Sequence, residues 1–406
     1  MSVAAGRRAI VVGGSLGGLI AANLLLRAGW RVDVYERVGE ALAGRGAGIV
    51  THEELFRALE RAGVHIDDSV GVRVERRVAF DRDGSVLGER PMVQVLTAWG
   101  RLYRLLKDAL PAERYHFGRE LQRVEQDERS VTARFAGGGS ETGELLVAAD
   151  GIRSAIRAQM LPEARPVYAG YVAWRGLAGE RSLCAATHGA LFEKFGFCLP
   201  PGEQMLGYPV AGPNYSTEPG KRRYNFVWYR PADEREVLPG LLTDEAGRRY
   251  EHSIPPDRIR AKVIEAMRRD AEALLAPQFA EVVRNAALPL LQPIFDLESA
   301  RIAFDRVAII GDAAFVARPH CGMGVTKAAG DAAAMLDCLA ASDDVPAALR
   351  AYEAARRPFG TFIVGHARHL GEAMRSTGRA AAESTLAGRI RAAEFVMREI
   401  AVDLPH

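Results

Sequence analysis

The residues most able to do chemistry lie in two glycine-rich runs near opposite ends of the chain. In the later run, Arg306 to Ala333, an apolar strand from Val307 to Ile310 stops at Gly311-Asp312. A loop with Arg318, Pro319 and His320 follows, and Gly322 and Gly324 then open an Ala-rich helix. The Asp312 carboxylate can accept hydrogen bonds from sugar hydroxyls. The free amides and positive dipole end of the helix suit an anionic group.

The earlier run is a nucleotide signature. Ala9 to Val12 reads as a short strand, Gly13-Gly14-Ser15-Leu16-Gly17-Gly18 as a tight loop, and Leu19 to Ala28 as a helix. Arg31 to Tyr35 alternates as a second strand and ends at Glu36. The loop keeps GxGxxG spacing from Gly13 to Gly18, with Ser15 in place of the middle glycine. Glu36 stands where an acid takes ribose hydroxyls. A dinucleotide site follows. The loop Gly44-Arg45-Gly46-Ala47-Gly48 comes directly after that acid, which favours a cofactor contact over a solvated turn. A third buried strand, Leu145 to Ala149, ends at Asp150-Gly151, with Arg153 and Arg157 behind it at helical spacing. That pair suits either dinucleotide phosphates or a structural salt bridge.

These elements need more than one core. At 406 residues the chain calls for two domains. Its 48% apolar and 26% charged composition is that of a globular protein. A formal net charge of +2 makes no case for nucleic acid or an anionic membrane. The four cysteines form no CxxC or zinc spacing, and no HExxH pair exists, so no metal is expected. Reduced thiols, no signal-peptide cleavage pattern and no apolar run of membrane length point to the cytoplasm.

Strands are expected at Val72 to Phe80 and Val86 to Val95, the latter broken at Pro91, and helices at Glu53 to Ala62 and Leu102 to Leu110. From Tyr168 to about Pro293 the texture turns aromatic and β-rich, as in antiparallel strands. Helices at Val345 to Arg357, Phe362 to Met374 and Ala382 to Ile400 close the chain. The expected architecture is α/β: a discontinuous Rossmann-type FAD-binding domain (1–71, 97–165 and 296–345), an inserted mostly antiparallel sheet as substrate domain (72–96 and 166–295), and C-terminal helices (346–406).

Taken together, GGSLGG with Glu36, Asp150-Gly151, and Gly311-Asp312 with Pro319 and Gly322-x-Gly324 resemble the single-component FAD-dependent aromatic hydroxylases of the p-hydroxybenzoate hydroxylase fold. The resemblance covers nearly the whole chain. YAGYVAWRG at Tyr168 to Gly176, NFVWY at Asn225 to Tyr229 and GDAAFVARPH at Gly311 to His320 look like the 2,6-dihydroxypyridine 3-hydroxylase branch. The resemblance implies non-covalent FAD, NADH or NADPH as reductant, and O2. It implies transfer of OH from a flavin C4a-hydroperoxide to a hydroxylated aromatic or N-heteroaromatic ring. Gly13, Ser15, Leu16 and Gly18 would face the pyrophosphate, Glu36 the adenosine ribose, and Asp312 the ribityl chain. Gly322, Met323, Gly324, Val325 and Thr326 would lie along the flavin. Arg37, Arg45, Gly48, Arg101, Val124, Asp150 and Gly151 complete the expected cofactor set. Met323, Thr326 and Trp99 depart from the Gln, Asn and Arg that relatives often carry.

His320, with a side-chain pKa normally near neutrality, is the candidate base for the substrate hydroxyl, or else it bonds its own loop. His52, Tyr171, Trp174, Tyr208, Trp228, Arg318 and Pro319 are candidates for the substrate pocket. A flavin halogenase lacks support, since no WxWxIP segment exists. A flavin-linked reductase without oxygen insertion, or a non-catalytic FAD- or NAD-binding regulator, are the other readings. The expected partners are a small aromatic substrate, O2 and NAD(P)H, with the chain a monomer or homodimer.

Overall fold

The computed structural model describes residues 6–42, 48–372 and 385–404. Two large sheets carry the chain. The first is a six-stranded sheet whose centre is parallel. Arg8–Val12 pairs with Arg31–Tyr35 on one side and Leu145–Ala148 on the other, and Leu145–Ala148 pairs with Val307–Ile309. Strands from three distant stretches thus end at the same edge. Their near-continuous apolar sequence follows from burial on both faces. The helix Leu16–Arg27 packs on this sheet and against the helix Gly324–Ala341.

Gly13 lies at φ +104°, and a Cβ there would sit 2.3 Å from the Ala149 carbonyl oxygen. A Cβ on Gly18 would sit 1.9 Å from the Gly13 carbonyl oxygen. Both positions therefore need glycine for the tight strand-to-helix turn. Glu36 holds that turn: its carboxylate accepts the Gly14 and Val38 amides, each at 2.9 Å.

The second sheet has nine strands among the described residues, from Phe315–Val316 at one edge to Gly48–Val50 at the other. It is antiparallel except where Lys194–Cys198 runs parallel to Val72–Phe80. Its central strands are Val167–Gly179, Arg223–Pro231 and Gln204–Val210. Both edge strands come from segments that otherwise belong with the parallel sheet, so the two sheets are stitched at the cleft between them. One face packs toward the parallel sheet. The other carries Val172, Trp174, Phe226 and Trp228 against the helices Ala261–Leu274 and Pro277–Arg284.

Two local expectations change. Val86–Ala98 continues through Pro91, because the ladder shifts register between Val74 and Arg76, opposite the proline; a bulge is where a strand tolerates a missing amide. Val345–Gly371 is one helix through Pro358, not two. Tertiary packing overrides the break: Ile363, Val364 and Ala367 are fully buried. The absent Cβ of Gly360 also admits the Phe315 ring. The expected helix end at Met374 and helix start at Ala382 lie outside the described residues.

Candidate active site

A cavity of about 400 Å³ lies where the two sheets meet. On the parallel-sheet side it is lined by Ser15, Leu16, Gly151, Asp312, Gly322, Gly324 and Val325. On the large-sheet side it is lined by Gly48, Arg175, Phe195, Tyr208, Val227, Tyr229 and Gln292, with Trp99, Pro319 and Ala401 closing the rim. The three nucleotide motifs, far apart in sequence, reach one space because their strands end side by side.

The first side fits an extended cofactor with phosphates and a sugar chain. Ser15 makes no side-chain cap on its own helix, so the first amides of Leu16–Arg27 stay open at the cavity. The Asp312 side chain is 53% exposed there, with Lys327 Nζ 3.9 Å from it. A Cβ added at Gly324 would meet nothing within 4 Å, so a flat ring can lie against the start of Gly324–Ala341. Asp150 Oδ1 is buried without a hydrogen-bond partner, while Oδ2 accepts the Ala155 amide at 2.8 Å.

Other expected contacts stand behind this wall. His52 Nδ1 lies 2.9 Å from the Thr326 hydroxyl, so these two candidates hold each other and fix the first turn of the flavin-side helix. Met323 is 1% exposed and supports the loop from within. Arg101 donates to Ser69 Oγ at 2.7 Å and lies 5.8 Å over the Tyr215 ring, away from the cavity lining. Gln159 occupies both the amide and the carbonyl of Val124. Arg37 is exposed, and burial together with the Arg37 charge pushes the Arg153 guanidinium down. Arg157 is spent on the carbonyls of Ile152, Ala164 and Ala313. Arg45 lies outside the described residues.

On the sheet side, strand alternation decides which aromatics matter. Tyr208 faces the cavity. Trp174 and Trp228 pair directly across the ladder and point to the opposite face, into the helix-covered core. The residues next to them in sequence, Arg175 and Tyr229, face the cavity instead; the period-two rule applied to YVAWRG and NFVWY is the signal that would have found them. Burial pushes the Tyr208 hydroxyl up to about 12 against the pull of Arg175, and drives Tyr229 up as well. Both hydroxyls stay protonated near neutrality and can donate hydrogen bonds.

His320 is fully buried and does not line the cavity. Tyr171 donates to its Nε2 at 2.8 Å, and its Nδ1 lies 2.9 Å from Gln204 Oε1. Burial, with the Arg318 charge second, pushes its pKa down to about 3. The ring centroid lies 4.3 Å from that of Tyr229, with the planes tilted by 42°, so His320 positions a cavity residue from behind. Arg318 is likewise buried, bridged to Asp296 at 2.8 Å, and meets no cavity atom.

Comparison with known proteins decides the class. A family model described as FAD binding domain-like matches residues 168–296. The chain is 33% identical to the 2,6-dihydroxypyridine 3-monooxygenase of Paenarthrobacter nicotinovorans, over 85% of this chain and 86% of that one. The chain belongs to the FAD-dependent aromatic monooxygenases. This monooxygenase is also 30% identical to an FAD-dependent urate hydroxylase of Klebsiella pneumoniae, over 86% of this chain and 85% of that one. The solved 2,6-dihydroxypyridine-3-hydroxylase of Arthrobacter nicotinovorans superposes on it with a TM-score of 0.88 at 30% identity, covering 98% and 97% of the two chains. The cofactor of the monooxygenase is FAD and its reductant a nicotinamide. Among the described residues no helix is long and apolar enough to cross a membrane.

Proposed function

We propose that this monooxygenase hydroxylates a small aromatic or N-heteroaromatic ring that already bears a hydroxyl, of the 2,6-dihydroxypyridine or phenol type. The observation that carries this reading is the two-sided cavity. Open helix amides and Asp312 line one wall, and Tyr208, Tyr229, Phe195 and Val227 form a largely aromatic and apolar wall opposite. Relatives named for a dihydroxypyridine and for urate, both nitrogen heterocycles, support it.

When bound, FAD supplies the oxygen-activating chemistry, with electrons from NAD(P)H and oxygen from O2. Ser15, Leu16, Gly151, Asp312, Gly322, Gly324 and Val325 would hold it, and Glu36 fixes the glycine loop that would face its phosphates. The amides opening Gly324–Ala341 would offer positive potential to negative charge on a flavin bound against them. Phe195, Leu206, Val227 and Pro319 keep water from the reacting carbon. The Tyr208 hydroxyl donates to the ring oxygen and fixes which carbon faces the cofactor.

The test is a panel of pyridinols, hydroxybenzoates and phenols, scored by stimulated NAD(P)H oxidation, O2 uptake and product mass. At least one ring should stimulate oxidation and gain one oxygen atom. A protein that oxidises NAD(P)H at the same rate with and without every ring is not the proposed hydroxylase.

A further inference from the structure

Among the described residues lining the cavity, Arg175 and Asp312 alone carry a formal charge, and they sit on opposite walls. Asp312 belongs to the cofactor side. Arg175 rises from the central strand Val167–Gly179 beside Val227, its cross-strand partner, with Tyr208 and Tyr229 near it.

The protein's other enclosed arginines are either bridged to a carboxylate, as Arg318 to Asp296, Arg222 to Glu180 and Arg356 to Asp331, or donate to backbone carbonyls, as Arg77 and Arg157 do. No carboxylate among the described residues lies within 4.0 Å of Arg175, and its Nε is shielded from solvent without any acceptor. A half-buried guanidinium with a shielded, unpaired N–H and no carboxylate partner is only partly compensated for the water it has lost. Tyr229 shares a hydrogen bond with Arg175, but burial keeps both tyrosine hydroxyls neutral, so neither offsets the positive charge. An anionic oxygen in the cavity does, through charge-assisted and bidentate hydrogen bonds that a planar guanidinium is shaped to make.

We propose that Arg175, set on the sheet floor opposite the cofactor wall and flanked by Tyr208 and Tyr229, binds the negatively charged oxygen of the substrate and makes the enzyme selective for mono-anionic rings. The inference rests on the hydroxylase reading and narrows its substrate class. The charged oxygen is either an ionised ring hydroxyl or a ring carboxylate. An ionised hydroxyl would also make the ring carbon more electron-rich, so one contact would bind the ring and select its reactive form.

The experiment measures dissociation constants from the perturbation of flavin absorbance in the FAD-loaded enzyme, using benzoate, benzamide and 4-cyanophenol. Wild-type should bind benzoate more tightly than benzamide, or bind 4-cyanophenol more tightly as pH rises through the phenol's own pKa. The first result identifies a carboxylate site and the second an ionised hydroxyl. Arg175→Met should weaken the anion by about 10- to 100-fold and abolish the preference over benzamide, while Arg175→Lys should keep part of it. FAD content and melting temperature of each preparation separate a lost contact from a lost fold. The wild-type pH series stands even if Arg175→Met does not fold. A wild-type enzyme that binds benzamide as well as benzoate and 4-cyanophenol equally at every pH overturns the proposal, as does an unchanged anion preference in folded Arg175→Met. If the wider ring panel stimulates turnover while either result holds, Arg175 selectivity fails alone. If the panel stimulates nothing, the hydroxylase reading fails and takes this inference with it.

Discussion

The Tyr171 hydroxyl lies 2.8 Å from Nε2 of His320, and Gln204 Oε1 lies 2.9 Å from Nδ1 of the same ring. A carbonyl oxygen can only accept, so Nδ1 carries the proton and Nε2 takes the tyrosine proton. The ring is neutral with both nitrogens occupied, and burial holds its pKa down to about 3.

That depressed value sets a pH dependence of stability. In the unfolded chain His320 takes up a proton below its ordinary value of 6.5; in the folded protein it does not until about 3. The stabilising effect is therefore complete above the unfolded value and is lost as pH falls from there toward 3. Within that window the slope from one proton is about 1.4 kcal/mol per pH unit. In His320→Gln, melting temperature should fall less steeply with acid than in wild-type. Identical acid slopes would show that His320 is not buried neutral. The variant should also keep its flavin colour, since His320 does not line the cavity.

Asp296 carries two arginines, Arg318 at 2.8 Å and Arg368 at 3.3 Å. Arg318 is 5% exposed and Asp296 4%, so removing the carboxylate strands a buried cation. Asp296→Asn should cost roughly 3–5 kcal/mol of stability, read by denaturant unfolding of the FAD-loaded protein. Arg368→Ala removes the partner that is 41% exposed, and should cost less than about 1 kcal/mol. Equal losses would contradict this division between a buried and a surface bridge.

The glycine loop, Glu36 and the Gly311 to Val325 run were legible because their spacing expresses backbone demands. Gly13 and Gly18 leave no room for a Cβ, and a strand-turn-helix with an acid after the next strand is local in sequence. The substrate wall was harder to read. Trp174 and Trp228 are the bulkiest aromatics of their segments, yet strand alternation sends both to the helix-covered face. Arg175 and Tyr229 sit one position away and face the cavity. His320 looked reactive because it adjoins the flavin-side helix. Only the fold brings Tyr171 and Gln204, from distant strands, onto its two nitrogens. The stitching of Gly48–Val50 and Phe315–Val316 into the second sheet is equally non-local, and no periodicity announces it.

The two faces of the large sheet should respond differently to mutation. Tyr208→Phe deletes a hydroxyl that lines the cavity, and should raise the KM for the ring by about 3- to 10-fold with little change in melting temperature. Trp228→Phe removes volume from the opposite core, and should cost roughly 1–3 kcal/mol of stability with KM unchanged. Steady-state kinetics and thermal melts on both variants check this. A KM effect from Trp228→Phe equal to that of Tyr208→Phe would contradict the assignment of faces.

The C-terminal residues owe their place at the cavity to Arg77. This guanidinium is fully buried and pairs with no carboxylate among the described residues. It donates instead to the carbonyls of Met397 at 3.2 Å, Ile400 at 2.5 Å and Ala401 at 2.8 Å, and to Gln94 Oε1 at 2.6 Å. Those carbonyls end the helix Leu386–Glu399, where a cation complements both the free acceptors and the negative dipole end. Ala401 in turn donates its amide to the His320 carbonyl at 2.9 Å and lines the rim of the cavity. Arg77→Met keeps an unbranched apolar stem while removing the donors and the guanidinium that lies 4.9 Å over the Phe195 ring. The carbonyls should then open to water, and amide hydrogen exchange across residues 386–404 should rise by at least about 30-fold, equivalent to about 2 kcal/mol of local stability. Exchange in the parallel sheet should stay as in wild-type. Uniformly faster exchange would mean that Arg77 supports the whole fold; unchanged exchange would mean that the C-terminal wall is held by its apolar contacts alone.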